Sequence, residues 1–291
     1  MESYKVKNFI KAIAEKLLPG LVDSYKFTHF LGYPPDTEYV YLYMMARPNS
    51  EMTKSEQVVF FGLQYYIKEY LEGVVVTHEM IDELAPMIRA YGYPQFNEEG
   101  WRYIVDNHGG KLPVEIKAVP EGSYVNRGNV LMSIVNTDPK CYWLPSYLET
   151  LLLEMWYTCT VATHAKELRS LIEPYVQESC DDLFDINFKV HNFGARAGPA
   201  PEATRLAGMA HLTSFVGTDT FDSVYAAKKY YNEDNAGISI SAAEHSTITS
   251  WGTGKANETA AYANMLDKFG HEPLFACVSD SYDYEYAVEH I

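Results

Sequence analysis

The chain has 291 residues, with 39 Asp and Glu against 23 Lys and Arg, and a formal net charge of −16 at pH 7. Nucleic acids and anionic membranes are themselves negatively charged, so this acidic balance disfavours both as partners. Hydrophobic residues make up 47% of the chain, as in globular proteins, and no segment has the roughly 18 apolar residues of a membrane helix. Because the N-terminus also lacks the apolar stretch of a secretory signal, we expect a cytoplasmic protein of one or two domains.

The first part of the chain mixes helix and strand patterns. Helical spacing of apolar residues occupies residues 1–20 and 58–71, and residues 145–172 predict one long helix or two abutting helices. Strand patterns occupy residues 40–45, 114–119 and 130–135. Residues 1–185 are therefore assigned to an N-terminal α+β domain.

From residue 186 onward, strand and helix patterns alternate strictly, which predicts parallel strands with helices packed against them. The predicted strands are 188–192, 214–217, 238–241 and 274–279. The predicted helices are 202–212, 221–231, 258–269 and a last one from residue 284. We expect an α/β fold in which residues 186–291 form the first four β/α units, or half, of a TIM-like barrel.

An aromatic residue and two charged residues follow the first two of these strands, at the positions where α/β barrels place their active sites. Phe193 could stack on a ligand or fill the core. Arg196 could hold a phosphate or an amide through its planar guanidinium, or form an interface salt bridge. Asp219 could accept hydrogen bonds from a substrate, or cap the helix that follows it.

The third and fourth strand ends carry a histidine and several carboxylates. His245, which stands beside the Glu244 carboxylate, could act as a base, a nucleophile or a phosphate ligand, or it could be structural. Asp280 and Asp283 could bind a divalent cation or cap a helix. Four successive strand ends with such residues indicate an enzyme.

The other histidines and the cysteines carry no comparable signal. The cysteines lack C-x-x-C spacing and are expected to be small buried hydrophobic residues; they are Cys141, Cys159, Cys180 and Cys277. The remaining histidines show no metal-ligand spacing and are expected to be solvated or packing residues; they include His29, His78, His108, His164, His191, His211 and His271. No residue is assigned as a metal ligand, and the common nucleotide, zinc-protease and hydrolase motifs are missing from the sequence.

Several longer sequence motifs resemble those of the nicotinamide phosphoribosyltransferase family, and they occur in the family's order from about residue 20 to the end. Near the N-terminus these motifs are DSYKFTH (23–29), YPP (33–35) and FGLQY (61–65). Further along the chain they are EIKAVPEG (115–122), RGNVL (127–131), NTDPKCYWL (136–144) and AAEHSTITSWG (242–252).

The resemblance implies transfer of phosphoribose from phosphoribosyl pyrophosphate to nicotinamide with Mg²⁺, in a homodimer. Phe193 would stack on one face of the nicotinamide ring, and Tyr25 of the neighbouring subunit on the other. Asp219 would accept from the carboxamide, and Arg196 would hold substrate or a phosphate group.

The resemblance also implies roles in the last two β/α units. His245, beside Glu244, would be phosphorylated when ATP acts as an optional activator. Asp280 would lie near the ribose and the metal.

Two departures from the family pattern are visible. Asn192 stands where the family usually has Asp. The family also continues with further barrel strands and a glycine-rich phosphate loop, which predicts that this chain is truncated, or is one part of a split enzyme completed by a second chain. A nicotinamide-binding or regulatory fragment without catalysis remains the alternative. A nicotinate or quinolinate enzyme of the same fold is disfavoured, because Asp219 would repel a carboxylate.

Overall fold

The computed structural model describes residues 17–48, 55–181 and 183–290. Its residues divide into two compact units, Met1–Gly237 and Ile238–Ile291. Most of the helix predicted at residues 1–20 lies outside the described residues, and its end is a 3₁₀ turn at Leu18–Gly20. The predicted domain boundary after residue 185 falls inside the first unit and stays a prediction.

A three-stranded antiparallel sheet forms the centre of the first unit. Strand β5 (Val130–Asn136) lies between β1 (Tyr41–Met45) and β3 (Val114–Ala118), which confirms the three predicted strands. The central strand is the most buried one, as expected where both neighbours supply backbone hydrogen bonds. At its end the buried Asn136 accepts a hydrogen bond from the Val40 amide at 2.9 Å and closes the sheet.

The helix predicted over residues 58–71 is only partly correct. Residues Gln57–Val59 form strand β2, which pairs antiparallel with β4 (Tyr124–Asn126). The helix α1 starts at Leu63, ends at Tyr66 and continues as a π turn at Ile67–Leu71. Gly62 separates strand from helix with a φ of 110°, and a Cβ there would lie 2.1 Å from the Thr158 hydroxyl. The β-branched Val58 and Val59 favour the strand, and the glycine permits the sharp turn after it.

The remaining helices of this part are amphipathic and pack around the sheets. Thr77 and Asn97 cap α2 (His78–Tyr91) and α3 (Glu98–His108), for which the sequence analysis made no prediction. The region predicted as one or two helices contains three: α4 (Leu144–Tyr147), α5 (Glu149–Leu153) and α6 (Trp156–Ser179). No helix among the described residues is long and apolar enough to span a bilayer.

The second half of the chain has the predicted helices and much shorter strands. The predicted helices are α7 (Pro201–His211), α8 (Phe221–Ala226, continued by a π turn at Ala227–Tyr231), α10 (Lys255–Phe269) and α11 (Tyr284–His290). A short helix that was not predicted, α9 (His245–Thr249), precedes α10. The first two predicted strands are reduced to one parallel bridge between Asn192 and Thr218. The last two are the parallel pair β6 (Ser241–Ala242) and β7 (Phe275–Ala276). The fold is mixed α/β with parallel pairing in this half, and the barrel assignment stays a prediction.

The carboxylate of Glu121 ties three segments of the first unit together. It accepts hydrogen bonds from the Gly62 amide at 2.7 Å, the Gln64 amide at 2.5 Å and the Tyr231 hydroxyl at 2.7 Å. The rings of Phe61 and Tyr231 stack beside it, with their centroids 5.2 Å apart. Burial, and then the negative charge of Glu121, raise the pKa of Tyr231. Glu121 thereby joins the β3–β4 turn to the start of α1 and to the end of α8.

Replacing Glu121 should destabilise the first unit. We expect Glu121→Gln to lower the free energy of unfolding by about 2–3 kcal/mol, because an NH₂ group would face donors that now have a carboxylate acceptor. Urea denaturation measures this change. Glu115→Gln is the matched control: its side chain pairs with exposed Lys117 at 2.8 Å, so the expected loss is below about 0.5 kcal/mol. Equal losses for the two variants would contradict the role of Glu121 in joining these three segments.

Candidate functional site

Two strand ends of the first unit are held together by backbone hydrogen bonds. The Asn192 amide donates to the Gly217 carbonyl at 3.0 Å, and the Asp219 amide donates to the Asn192 carbonyl at 2.9 Å. The Asn192 side-chain oxygen accepts from the Gly194 amide at 2.9 Å and from the Thr220 hydroxyl at 2.6 Å. An Asp at this position would offer the same acceptor, so the departure at Asn192 conserves the local geometry.

His191, Phe193 and Asp219 form one cluster at these strand ends. His191 Nε2 lies 2.7 Å from Asp219 Oδ1, and the rings of His191 and Phe193 are 4.7 Å apart at an angle of 38°. The Phe193 side chain is 61% exposed, which rules out the alternative that it fills the core. The His191 imidazole thus contacts both an exposed aromatic ring and a carboxylate.

The prediction that His191 is only a solvated or packing residue missed this cluster. The signal that could have found it is the one that singled out His245, namely a histidine at the end of a predicted strand. Its partner Asp219 is 28 residues away in sequence, so only the paired strand ends show that the two side chains meet.

Arg196 and Tyr25 are exposed side chains on short 3₁₀ helices. Arg196 ends the 3₁₀ turn Gly194–Arg196, and no acidic side chain in the described part of the chain pairs with it. Tyr25 is 55% exposed and packs edge-on against His29, with ring centroids 4.7 Å apart. The adjacent Lys26 is buried and bonded to Glu149 at 2.6 Å, which anchors the helix that carries Tyr25. Among the described residues no ring contact joins Tyr25 to Phe193.

In the second unit, His245 and Asp280 form a pair across two strand ends. His245 Nε2 lies 2.9 Å from Asp280 Oδ1, and the two side chains are 63% and 68% exposed. Glu244 is the N-cap of α9 and forms a reciprocal capping box with Thr247. Its carboxylate also accepts a hydrogen bond from the Ser246 hydroxyl. Strand β6 is thus followed by an ordered turn that presents His245 to solvent.

The strand end that carries Asp280 is also held by an aromatic hydroxyl group. Tyr262 on α10 donates to the Val278 carbonyl at 2.8 Å, and burial raises the pKa of its hydroxyl to about 12. Asp283 accepts from the Tyr286 amide at 3.1 Å, so it caps α11 as one of the two alternatives expected. Asp280 is therefore the carboxylate of this segment that contacts His245.

A possible metal-ligand set in the described residues lies away from the strand ends. His108, Asp138 and Cys141 place one ligand atom each within 4.8 Å of one another. Asp138 already accepts from Tyr103 at 2.9 Å and lies 2.8 Å from His108 Nε2, while burial raises the pKa of the Cys141 thiol to about 12. These contacts describe a hydrogen-bonded structural cluster. All four cysteines are free; Cys141 and Cys159 are buried as predicted, and Cys180 and Cys277 are partly exposed.

Two family models match this chain. The model described as "Nicotinamide phosphoribosyltransferase, N-terminal domain" matches residues 18–116, and the model of the "Nicotinate phosphoribosyltransferase (NAPRTase) family" matches residues 188–290. The second match includes all the strand ends described above.

Curated relatives and a solved structure agree with these models. A protein of Xanthomonas campestris named nicotinamide phosphoribosyltransferase is 47% identical over 263 residues, and one of Acinetobacter baylyi with the same name is 30% identical over 275 residues. Each alignment covers 90% of this chain and 54% of the relative, so the chain spans about half the length of the curated relatives it matches.

The crystal structure of human nicotinic acid phosphoribosyltransferase matches with a TM-score of 0.56 and 20% identity. That match covers 78% of this chain and 40% of the human one, and it supports the fold. The matched models, the names of the relatives and the order of the shared sequence motifs agree with one another. The chain belongs to the nicotinamide phosphoribosyltransferase family.

Proposed function

We propose that this chain carries the base-binding part of an enzyme that transfers phosphoribose from phosphoribosyl pyrophosphate to nicotinamide. The observation that supports this most directly is the cluster of exposed Phe193, Asp219 and His191 at two paired strand ends. A planar aromatic amide needs a ring to stack on and an acceptor for its NH₂ group, and Phe193 and Asp219 offer both. The products would be nicotinamide mononucleotide and pyrophosphate.

The chemistry of this transfer needs little acid–base assistance. The pyridine nitrogen of nicotinamide carries no proton, so it can attack C1 of the ribose directly while the C1–O bond to pyrophosphate breaks. Pyrophosphate leaves with the electron pair, and positive charge develops at C1 and then on the pyridinium ring. Carboxylates near C1 stabilise such a charge, and Asp280 is the residue we assign to that role.

Selection of the amide over the acid follows from the charge of Asp219. Its carboxylate accepts from a carboxamide NH₂ and repels the carboxylate of nicotinate. Arg196, with its exposed guanidinium, is assigned to a phosphate or carbonyl group of the bound substrates. Tyr25 is assigned to the second face of the base in a homodimer, because it is exposed on an anchored helix and makes no contact with Phe193 among the described residues.

The residues that we assign to Mg²⁺ and to the activator ATP lie in the second unit. Mg²⁺ is usually held by one or two carboxylates together with substrate phosphates, and the exposed Asp280 offers one such ligand. When bound, Mg²⁺ neutralises the leaving pyrophosphate. His245 is assigned as the residue that accepts the γ-phosphoryl group of ATP with release of ADP, because its ring is exposed and Asp280 accepts the hydrogen of Nε2, which leaves the Nδ1 lone pair for the attack on phosphorus.

The architecture we propose for residues 186–291 is the first half of a TIM-like barrel, in a cytoplasmic protein. The two parallel pairings and the alternating helices support it. The other half of the active site would then come from a second chain, or from sequence outside this one. A binding or regulatory role without transfer is the alternative, and the experiments below separate the two.

Catalysis is tested by combining this chain with the part of the Xanthomonas campestris relative that it does not match, expressed as a separate polypeptide. We expect nicotinamide mononucleotide to form from nicotinamide and phosphoribosyl pyrophosphate only when both polypeptides and Mg²⁺ are present. Product is measured by chromatography. Nicotinamide binding without product in any mixture would favour the binding-protein alternative.

Asp219→Asn tests the amide acceptor. We expect the dissociation constant of nicotinamide for the 291-residue chain to rise about tenfold, because a charged acceptor is replaced by a neutral amide. Calorimetric titration with nicotinamide and with nicotinate measures both affinities. The matched control is Asp222→Asn, which removes a carboxylate bonded to Arg205 at 2.8 Å and should leave both affinities unchanged. Equal affinity of Asp219→Asn and wild type for nicotinamide would refute the role of Asp219 as the acceptor for the carboxamide.

His245→Ala tests the phosphoryl acceptor. In the two-polypeptide mixture we expect this variant to lose both the stimulation by ATP and the acid-labile label from γ-³²P-ATP. His271→Ala, an exposed histidine of the same unit, is the control and should keep both. Label retained in His245→Ala would place the phosphoryl group elsewhere.

A further inference from the structure

His191 has no role in the proposed function as stated so far, although it contacts two residues of the cluster. Its side chain is 26% exposed and lies between the Asp219 carboxylate and the Phe193 ring. Polar side chains in such a position either fill space or orient their neighbours. Two further observations decide between these roles.

The first observation concerns the direction of the hydrogen bond to Asp219. An ionised carboxylate can only accept, so His191 must carry a hydrogen on Nε2 and donate it to Oδ1. The separation of 2.7 Å is at the short end for a hydrogen bond to a charged group, and such bonds are stronger than neutral ones. Since the Asp219 side chain is 40% exposed, this bond restricts the orientation of a carboxylate that solvent reaches.

The second observation concerns the other ring nitrogen of His191, Nδ1. A Cβ added at Gly217 would lie only 2.8 Å from His191 Nδ1, so the ring packs directly against the Gly217 backbone. The backbone of Gly217 is itself fixed by the amide of Asn192 at 3.0 Å. A backbone segment that is itself hydrogen-bonded thus lies against the imidazole that contacts Asp219 and Phe193.

We propose that His191 is a positioning residue that fixes the Asp219 carboxylate and the Phe193 ring in the arrangement that selects an amide-bearing aromatic base. The inference rests on the proposed function, because Asp219 and Phe193 are assigned to the base there. Holding both groups before the base arrives reduces the ordering that binding must otherwise produce. Selectivity for the amide then depends on a residue that need not touch the base.

Two substitutions separate the hydrogen bond from the packing. His191→Phe keeps a ring between Gly217 and Phe193 but has no donor, whereas His191→Gln keeps an N–H donor at about the reach of Nε2. We expect His191→Phe to weaken nicotinamide binding to the 291-residue chain about tenfold, with little change in the weaker binding of nicotinate. His191→Gln should restore most of the preference for the amide. Calorimetric titration of each variant with both ligands measures this preference.

Gly217→Ala moves the imidazole without removing it. The added methyl group would displace the ring from its contact, so we expect a loss of amide preference similar to that of His191→Phe. Gly20→Ala is the control, because its added Cβ would meet Leu84 at an ordinary 3.7 Å. Unchanged amide preference in both His191→Phe and Gly217→Ala, with nicotinamide still bound by wild type, would overturn the inference and leave the proposed function intact.

A spectroscopic measurement tests the pairing without any ligand. In ¹⁵N NMR spectra of the 291-residue chain, the signals absent from His191→Phe identify the His191 ring. We expect a proton on Nε2 and a change of these signals in Asp219→Asn. A ring protonated only on Nδ1 would overturn the inference. Failure of wild type to bind nicotinamide, with the Nε2 proton present, would instead overturn the proposed function and the selectivity that rests on it.

Discussion

The hydrogen bonds to the Glu121 carboxylate are the interaction on which the arrangement of the first unit depends. Glu121 holds the start of α1 through the Gly62 and Gln64 amides, and it holds the end of the α8 segment through the Tyr231 hydroxyl. Helix α8 begins directly after Thr220, which follows Asp219. A carboxylate in the turn before β4 therefore holds the helical segment that follows Asp219 against the start of α1.

The candidate site combines a fixed backbone with exposed side chains. The Asn192 amide and carbonyl pair two strand ends through backbone hydrogen bonds, and the Asn192 side chain also accepts hydrogen bonds from Gly194 and Thr220. Phe193 nevertheless stays 61% exposed, because the segment that carries it is held through its backbone and through Asn192. The candidate site is thus held by its backbone and still open to solvent, as the proposed recognition of a small planar base requires. Buried His211 supports it by contacting the Gly217 carbonyl at 3.1 Å, and burial lowers the pKa of His211.

Most elements could be predicted from local pattern, and the misses have physical causes. The helices α7, α10 and α11 follow from apolar periodicity and suitable ends, and the strands of the central sheet follow from alternation. The start of α1 was predicted too early, because Val58 and Val59 pair with β4 and Gly62 breaks the chain direction. The strands near Asn192 and Thr218 were predicted too long: most of their residues lie outside the paired segment, and pairing depends on neighbours distant in sequence.

The sequence by itself determined the family, the mixed α/β class and the residue types at the strand ends, because these depend on short sequence motifs and on the local periodicity of apolar residues. It also placed Phe193, Asp219, His245 and Asp280 among the candidates. Only the tertiary structure decided that His191 meets Asp219, that His245 meets Asp280, and that Glu121 joins three segments. Each of these contacts joins residues at least 28 positions apart, so it exists only once the strand ends and helices have packed together.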